Sequence, residues 1–202
     1  MTNAEDSAPG PGSPPMTHYA SPDLADLPDD VLARIRQVQE KSGFIPNVFL
    51  ALARRPAEFR AFFAYHDAVM LRDSGLTKAE KEMIVVATSA ANDCTYCVIA
   101  HGAILRVYAR EPHIADQIAI NHRTAPVDAR QRAMLDFAVK LARRPQSADD
   151  ADRAQLLALG FDEDDIWDIG AIVGLFALSN RMAHVTGMNP NPEFYQMGRT
   201  PR

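Results

Sequence analysis

Apolar residues recur along most of the chain at intervals of three and four, the period of a helix that buries one face. Between Asp29 and Lys41 they fall at Val31, Leu32, Ile35 and Val38, with Gly43 placed to stop the helix. Pro46 opens a short helix through Leu52. Pro56 opens another, with a stripe of Phe59, Phe62, Phe63, Ala64 and Val69 that also carries His66. Further helices are predicted over Pro112 to Asn121, over Val127 to Arg143 with Met134, Leu135, Ala138 and Leu141 inward, and over Asp149 to Leu159, ended by Gly160. A last long helix starts at the acids Asp162 to Asp165, which suit its positive end, and runs through Trp167, Ile169, Ile172, Val173, Phe176 and Leu178. Pro190 and Pro192 stop it, and the tail is expected to lie over a neighbour. No alternating β-branched run appears, so the chain reads as all-α.

The central stretch, Thr77 to Tyr108, carries the chemistry. Thr77 with Glu80 is a capping-box signature, and the helix it starts continues through Met83, Ile84, Val86, Ala87 and Ala90. Asn92 and Asp93 are placed to end it and to cap the next helix, along which Cys94, Val98, His101, Leu105 and Tyr108 recur with helical spacing. Cys94 and Cys97 are the only two cysteines. Residues three or four apart on a helix are neighbours, so Cys94, Cys97 and His101 are expected in one column. Thiols at this spacing can close a disulfide, and a thiol near a helix N-terminus or a histidine is acidified. The helix end favours Cys94 as the reactive thiol and His101 favours Cys97. Glu80 is taken by the cap and Lys81 is expected on the polar side. Glu82, followed by Val85, Val86 and Ser89, leans inward, either as a proton relay to His101 or as a first-turn acid favoured by the helix dipole.

Length and composition narrow the setting. The 202 residues and 47% hydrophobic content suit one domain with a sizeable core. Residues 1–16, rich in Pro, Gly and Ser, are expected to be a disordered arm, with the single helical domain over 17–202. A net charge of −5 argues against nucleic acid as a partner. No apolar run reaches the roughly 18 residues a bilayer span needs, and no signal peptide is evident, so no membrane partner and a cytoplasmic location are expected. In that reducing setting a lone CxxC points to catalysis or metal binding. CTYC is followed by Val98, which breaks the haem-attachment pattern, and neither GxGxxG nor GxxxxGK[ST] occurs. No cofactor and no metal are expected. His66, His113, His122 and His184 read as packing or surface residues. A Ser-x-x-Asn at Ser89 and Asn92, loosely echoed by Ser179-Asn180, hints at duplicated hairpins.

Glu82, Cys94-Thr95-Tyr96-Cys97 and His101, within LTKAEKEMIVVATSAANDCTYCVIAHG, resemble the signature of AhpD-like alkylhydroperoxidases in the carboxymuconolactone decarboxylase-like superfamily, in particular the peroxidase-related branch. The resemblance extends from about Leu24 to Arg199. It implies an AhpD-like helical domain with a central CxxC helix pair. By resemblance Cys97 is the peroxidatic cysteine and Cys94 resolves it, while Glu82 and His101 shuttle protons through water. The AhpD pattern has a histidine just before the second cysteine where this chain has Tyr96, which makes Tyr96 a relay or pocket residue. The expected activity is thiol-dependent reduction of organic hydroperoxides or hydrogen peroxide, with an external dithiol or disulfide reductase as partner and a homo-oligomer (dimer, trimer or hexamer) as the assembly. Alternatives are a general dithiol-disulfide oxidoreductase or redox sensor, a metal site of Cys94, Cys97 and His101 completed by Glu82 or water, and decarboxylase-type chemistry.

Overall fold

The computed structural model describes residues 16–200. The expected arm therefore lies, except for Met16, outside the described residues. Among the described residues there are ten α-helices and no strand, as an all-α domain requires. They are α1 Asp29–Ser42, α2 Asn47–Ala53, α3 Pro56–His66, α4 Lys78–Ala91, α5 Thr95–Ala109, α6 Ile114–Asn121, α7 Ala129–Arg143, α8 Asp150–Ala158, α9 Glu163–Thr186 and α10 Glu193–Gln196.

Local sequence accounts for the ends. Thr77, Asp128, Asp149 and Asp162 each cap a helix in a reciprocal box with the residue three further on. Gly43 closes α1 at φ 84° and Gly187 closes α9 at φ 61°, left-handed positions that favour glycine. Val31 and Ile35 of α1 are fully buried, while Phe49 of α2 stacks on Phe63 of α3 at 4.2 Å between centroids.

α4 is the hub, packed against α5, α6, α7 and α9. Ile84, Val85 and Val86 are completely buried, each worth about 1.5–3 kcal/mol on removal from water. So encased a helix has no polar side, and Lys81, expected on one, is only 2% exposed. The reason lies in the segment before it. α3 runs on into a π-helical turn, Asp67–Leu71, and Lys81 Nζ donates to the carbonyls of Val69 (3.1 Å) and Arg72 (2.8 Å). Burial holds the Lys81 ammonium below the usual lysine value, against the opposing pull of Asp168. Arg130 closes the other flank, bonding Glu80 at 2.5 Å and lying over the Phe161 ring.

The tail folds back on its own chain. Arg106 of α5, 3% exposed, donates to the carbonyls of Phe194 and Met197, and Phe194 meets Phe44 edge to face. Asn191 and Asn47 stitch the tail to the start of α2.

Candidate active site

The turn between α4 and α5 sets the thiols. Asp93 takes φ 53° and Asn92 spends its side-chain amide on Asn180, so neither caps α5. Cys94 is itself the N-cap: its sulfur accepts the Cys97 backbone N–H at 3.4 Å, and its own N–H bonds the Ser89 carbonyl at 2.9 Å. Both thiols are free and 1% exposed. Cys97 Sγ lies 3.7 Å from Ser179 Oγ on α9.

The two sulfurs share one proton unequally. A hydrogen bond from Cys97 draws the Cys94 thiol down from 9.0 to about 7, outweighing burial, with the backbone N–H, the His184 charge and Asn180 also lowering it. The same bond, burial and the repulsion of a Cys94 thiolate push Cys97 up. Cys94, at the helix end, is therefore the more acidic thiol of the pair.

Glu82 and His101 meet as expected: Glu82 Oε2 lies 2.7 Å from His101 Nδ1, with both side chains largely buried. His101 turns toward Glu82 and the edge of Phe176, while Cys97 turns toward Ser179, and among the described residues no hydrogen bond joins His101 to either thiol. Tyr96 faces inward, its oxygen accepting the Val48 N–H at 3.1 Å, and burial pushes its phenol above the usual value. It fastens α5 to α2.

Three neighbours escaped sequence reasoning. Asn180, 1% exposed, donates to Ser89 Oγ and accepts from Asn92, so the echoed Ser-x-x-Asn residues meet in space beside the thiols. That echo was the available signal. His184, expected as a surface or packing residue, donates to the Asn92 carbonyl and helps to acidify Cys94. His66 lies in electrostatic range of Glu82 and His101, held below the usual histidine value mainly by burial. Neither histidine has a sequence spacing to the cysteines that betrays it.

Among the described residues no group of three or more His, Cys, Asp or Glu side chains is arranged to hold a metal ion. Cavities of about 250 and 350 Å³ lie between α6, α7 and α8 and beside the residues preceding α1, and none of Glu82, Cys94, Cys97 or His101 lines either.

The model of the carboxymuconolactone decarboxylase family matches residues 56–115, which hold all four of these residues. A solved peroxidase-related protein from Ralstonia eutropha JMP134, described as an alkylhydroperoxidase AhpD core and uncharacterized, is 59% identical over 94% of this chain and all of its own, with a TM-score of 0.93. The chain belongs to this AhpD-like family. A second uncharacterized peroxidase-related protein, from Silicibacter sp. TM1040, is 41% identical over 95% of this chain and all of its own, with a TM-score of 0.88. The debrominase Bmp8, at 18% identity over 92% of this chain and 96% of its own and a TM-score of 0.72, shares the AhpD-like fold. No curated protein matches the chain.

Proposed function

We propose that this AhpD-like protein is a thiol-dependent peroxidase that reduces organic hydroperoxides or hydrogen peroxide through Cys94 and Cys97. The observation that carries this proposal is the acidified, helix-capping Cys94 in contact with Cys97, on the same α4–α5 pair as a buried Glu82–His101 contact. A cysteine thiolate attacks the distal peroxide oxygen, the O–O bond breaks, and the leaving alkoxide takes a proton and departs as alcohol. Glu82 and His101 supply that proton. The second thiol then attacks the sulfenic sulfur, water leaves, and the disulfide is reset by an external dithiol or disulfide reductase. In keeping with the family pattern Cys97 is the attacking sulfur, its proton passing to the waiting Cys94 thiolate, and Cys94 resolves. The lowered Cys94 pKa favours a second assignment with these roles exchanged.

The closed setting supports a small oxidant over a protein disulfide. Exchange with a protein disulfide needs in-line access to a sulfur, whereas both thiols are 1% exposed. The test is single-turnover mixing of reduced protein with one equivalent of cumene hydroperoxide. One peroxide should disappear for every two thiols lost, with peptide mapping showing a Cys94–Cys97 disulfide. Persisting free thiols would refute the peroxidase, and rapid reduction of a model disulfide without peroxide turnover would make the protein a dithiol oxidoreductase.

A further inference from the structure

The peroxide step consumes a proton that the thiols do not hold. At pH 8, above the value of about 7 at which Cys94 titrates, the reduced pair is one thiolate and one thiol. The hydroperoxide, the Cys97 thiol, the Cys94 thiolate and one further proton then balance to alcohol, water and the disulfide, the two sulfurs giving up the two electrons that break the O–O bond. Glu82 and His101 give that proton to the leaving alkoxide and must regain it from water before the next turnover. Both are closed in, with side chains 7% and 15% exposed, so the reload needs a way through the protein.

His66 stands at that way in. It ends α3, and the chain runs on from it into the π-turn Asp67–Leu71, an irregularity frequent at functional sites. Lys81 holds the Val69 carbonyl of that turn at 3.1 Å, which lays the turn against the start of α4, where Glu82 follows Lys81. The His66 ring is anchored from behind: Nδ1 lies 3.1 Å from Asp67 Oδ1, and Arg34 of α1 grips both Asp67 oxygens at 2.8 and 2.7 Å. A carboxylate only accepts, so Nδ1 carries the hydrogen and Nε2 is left free to take a proton and give it up. Side-chain exposure rises outward in steps, from Glu82 and His101 to 25% at His66 and 34% at Asp67. The charges that act on the ring are Asp67 beside it, Glu82 from α4 and His101 from α5. Burial, helped by His101 and opposed by the two acids, holds it below the usual histidine value, so at pH 8 it is uncharged and able to accept. Tyr108 also lies in range of Glu82, but burial and that charge push its phenol up, and it keeps its proton.

We propose that His66 is the outer station of the relay, taking protons from solvent at Nε2 and passing them inward through water to reload the Glu82–His101 pair after each turnover. It acts through that pair and touches neither substrate nor sulfur, and the inference rests on the peroxidase reading. In a single turnover with cumene hydroperoxide at pH 8 in weak buffer, a pH indicator should report about one proton taken up per peroxide, in step with disulfide formation. In His66→Gln that uptake should trail peroxide loss by roughly tenfold or more. With excess dithiothreitol the steady-state rate of this variant should fall by a similar factor, and imidazole buffer, a diffusible proton carrier, should restore it. Asp67→Asn, which keeps the ring and loses its anchor, should show the same lag in milder form, so the proposal stands or falls even where His66→Gln does not fold. A histidine that only packs would slow both phases together and be deaf to imidazole. A wild type that consumes no peroxide would end the peroxidase reading and this inference with it. Peroxide loss with equally prompt proton uptake in both variants, or a steady-state loss that imidazole does not restore, would overturn the role of His66 alone.

Discussion

Replacing Cys97 by alanine should move the titration of Cys94. The Cys94 thiol stands at about 7 against an ordinary 9.0, and the largest cause is the hydrogen bond from the Cys97 side chain. Two units correspond to roughly 3 kcal/mol favouring the thiolate. At pH 7 roughly half of the wild-type molecules carry that thiolate; Cys97→Ala keeps the backbone N–H and loses the thiol, so a rise of one unit leaves less than roughly a tenth ionised. Cys97→Ser, which retains a donor, should fall between. Absorbance at 240 nm across pH 5–10, with Cys94→Ser subtracted, follows the thiolate directly. Linkage gives an independent reading. Because the folded pKa lies below the unfolded one, the stabilisation is fully present above pH 9 and is lost as pH falls through 7, so urea unfolding should show wild-type stability rising between pH 7 and 9 by about 2 kcal/mol. Cys97, pushed up, keeps its proton in the folded protein while its unfolded thiol begins to ionise toward pH 9, so it works against the rise there by roughly a few tenths of a kcal/mol. A wild-type thiolate that forms only above pH 8.5, or a Cys97→Ala titration unchanged from wild type, would refute the shared-proton argument.

Glu82→Gln and His101→Gln should each slow single-turnover peroxide reduction by roughly 10²–10⁴, with the double variant little worse than either, if the 2.7 Å pair works as one relay; unchanged rates with lower thermal midpoints would remove both from the chemistry. Tyr96→Phe should cost about 1–3 kcal/mol in urea unfolding by leaving the buried Val48 N–H unpaired, with the peroxide rate within about twofold, and a large rate loss at constant stability would restore a relay role. Lys81→Met should cost about 3 kcal/mol or more by the same measurement, since the carbonyls of Val69 and Arg72 lose a charged donor, whereas an exposed lysine would be replaced within about 0.5 kcal/mol.

What the sequence disclosed was mostly what is local. The Thr77 box, the Gly43 stop and the acids opening α9 act within one turn, so the helices could be placed from them. Glu82 and His101 could be paired because their two helices are joined by three residues and must lie side by side. The rest depended on contacts between distant segments. Lys81 looks solvent-facing until the π-turn of 67–71 supplies carbonyls for its ammonium, and nothing in DAVML announces that turn. Cys94 was counted as one residue of a helical column, but as the cap it stands outside the helix proper. His101 takes its partners from Glu82 and Phe176 and Cys97 takes its own from Ser179, contacts with α4 and α9 that spacing along α5 does not announce. Asn180 lies 88 residues from Asn92, and only the packing of α9 on α4 brings them together.

A serine, threonine or aspartate usually fastens the first turn of a helix, and none of these changes its bonding when the cell's redox state changes. In α5 a sulfur does the fastening. Once Cys94 is tied to Cys97 in a disulfide, the anionic acceptor is gone and the turn loses a clasp of a kind worth about 1 kcal/mol. The reaction would thus undo the latch that keeps its own product hidden. Thr95–Cys97 should loosen in the oxidised protein, offering the disulfide to a reductant that could not reach the closed, reduced site. Hydrogen exchange of those three amides should be faster after peroxide treatment and return to its slow value with dithiol, so that the chain reports its state by fraying and mending one helix end.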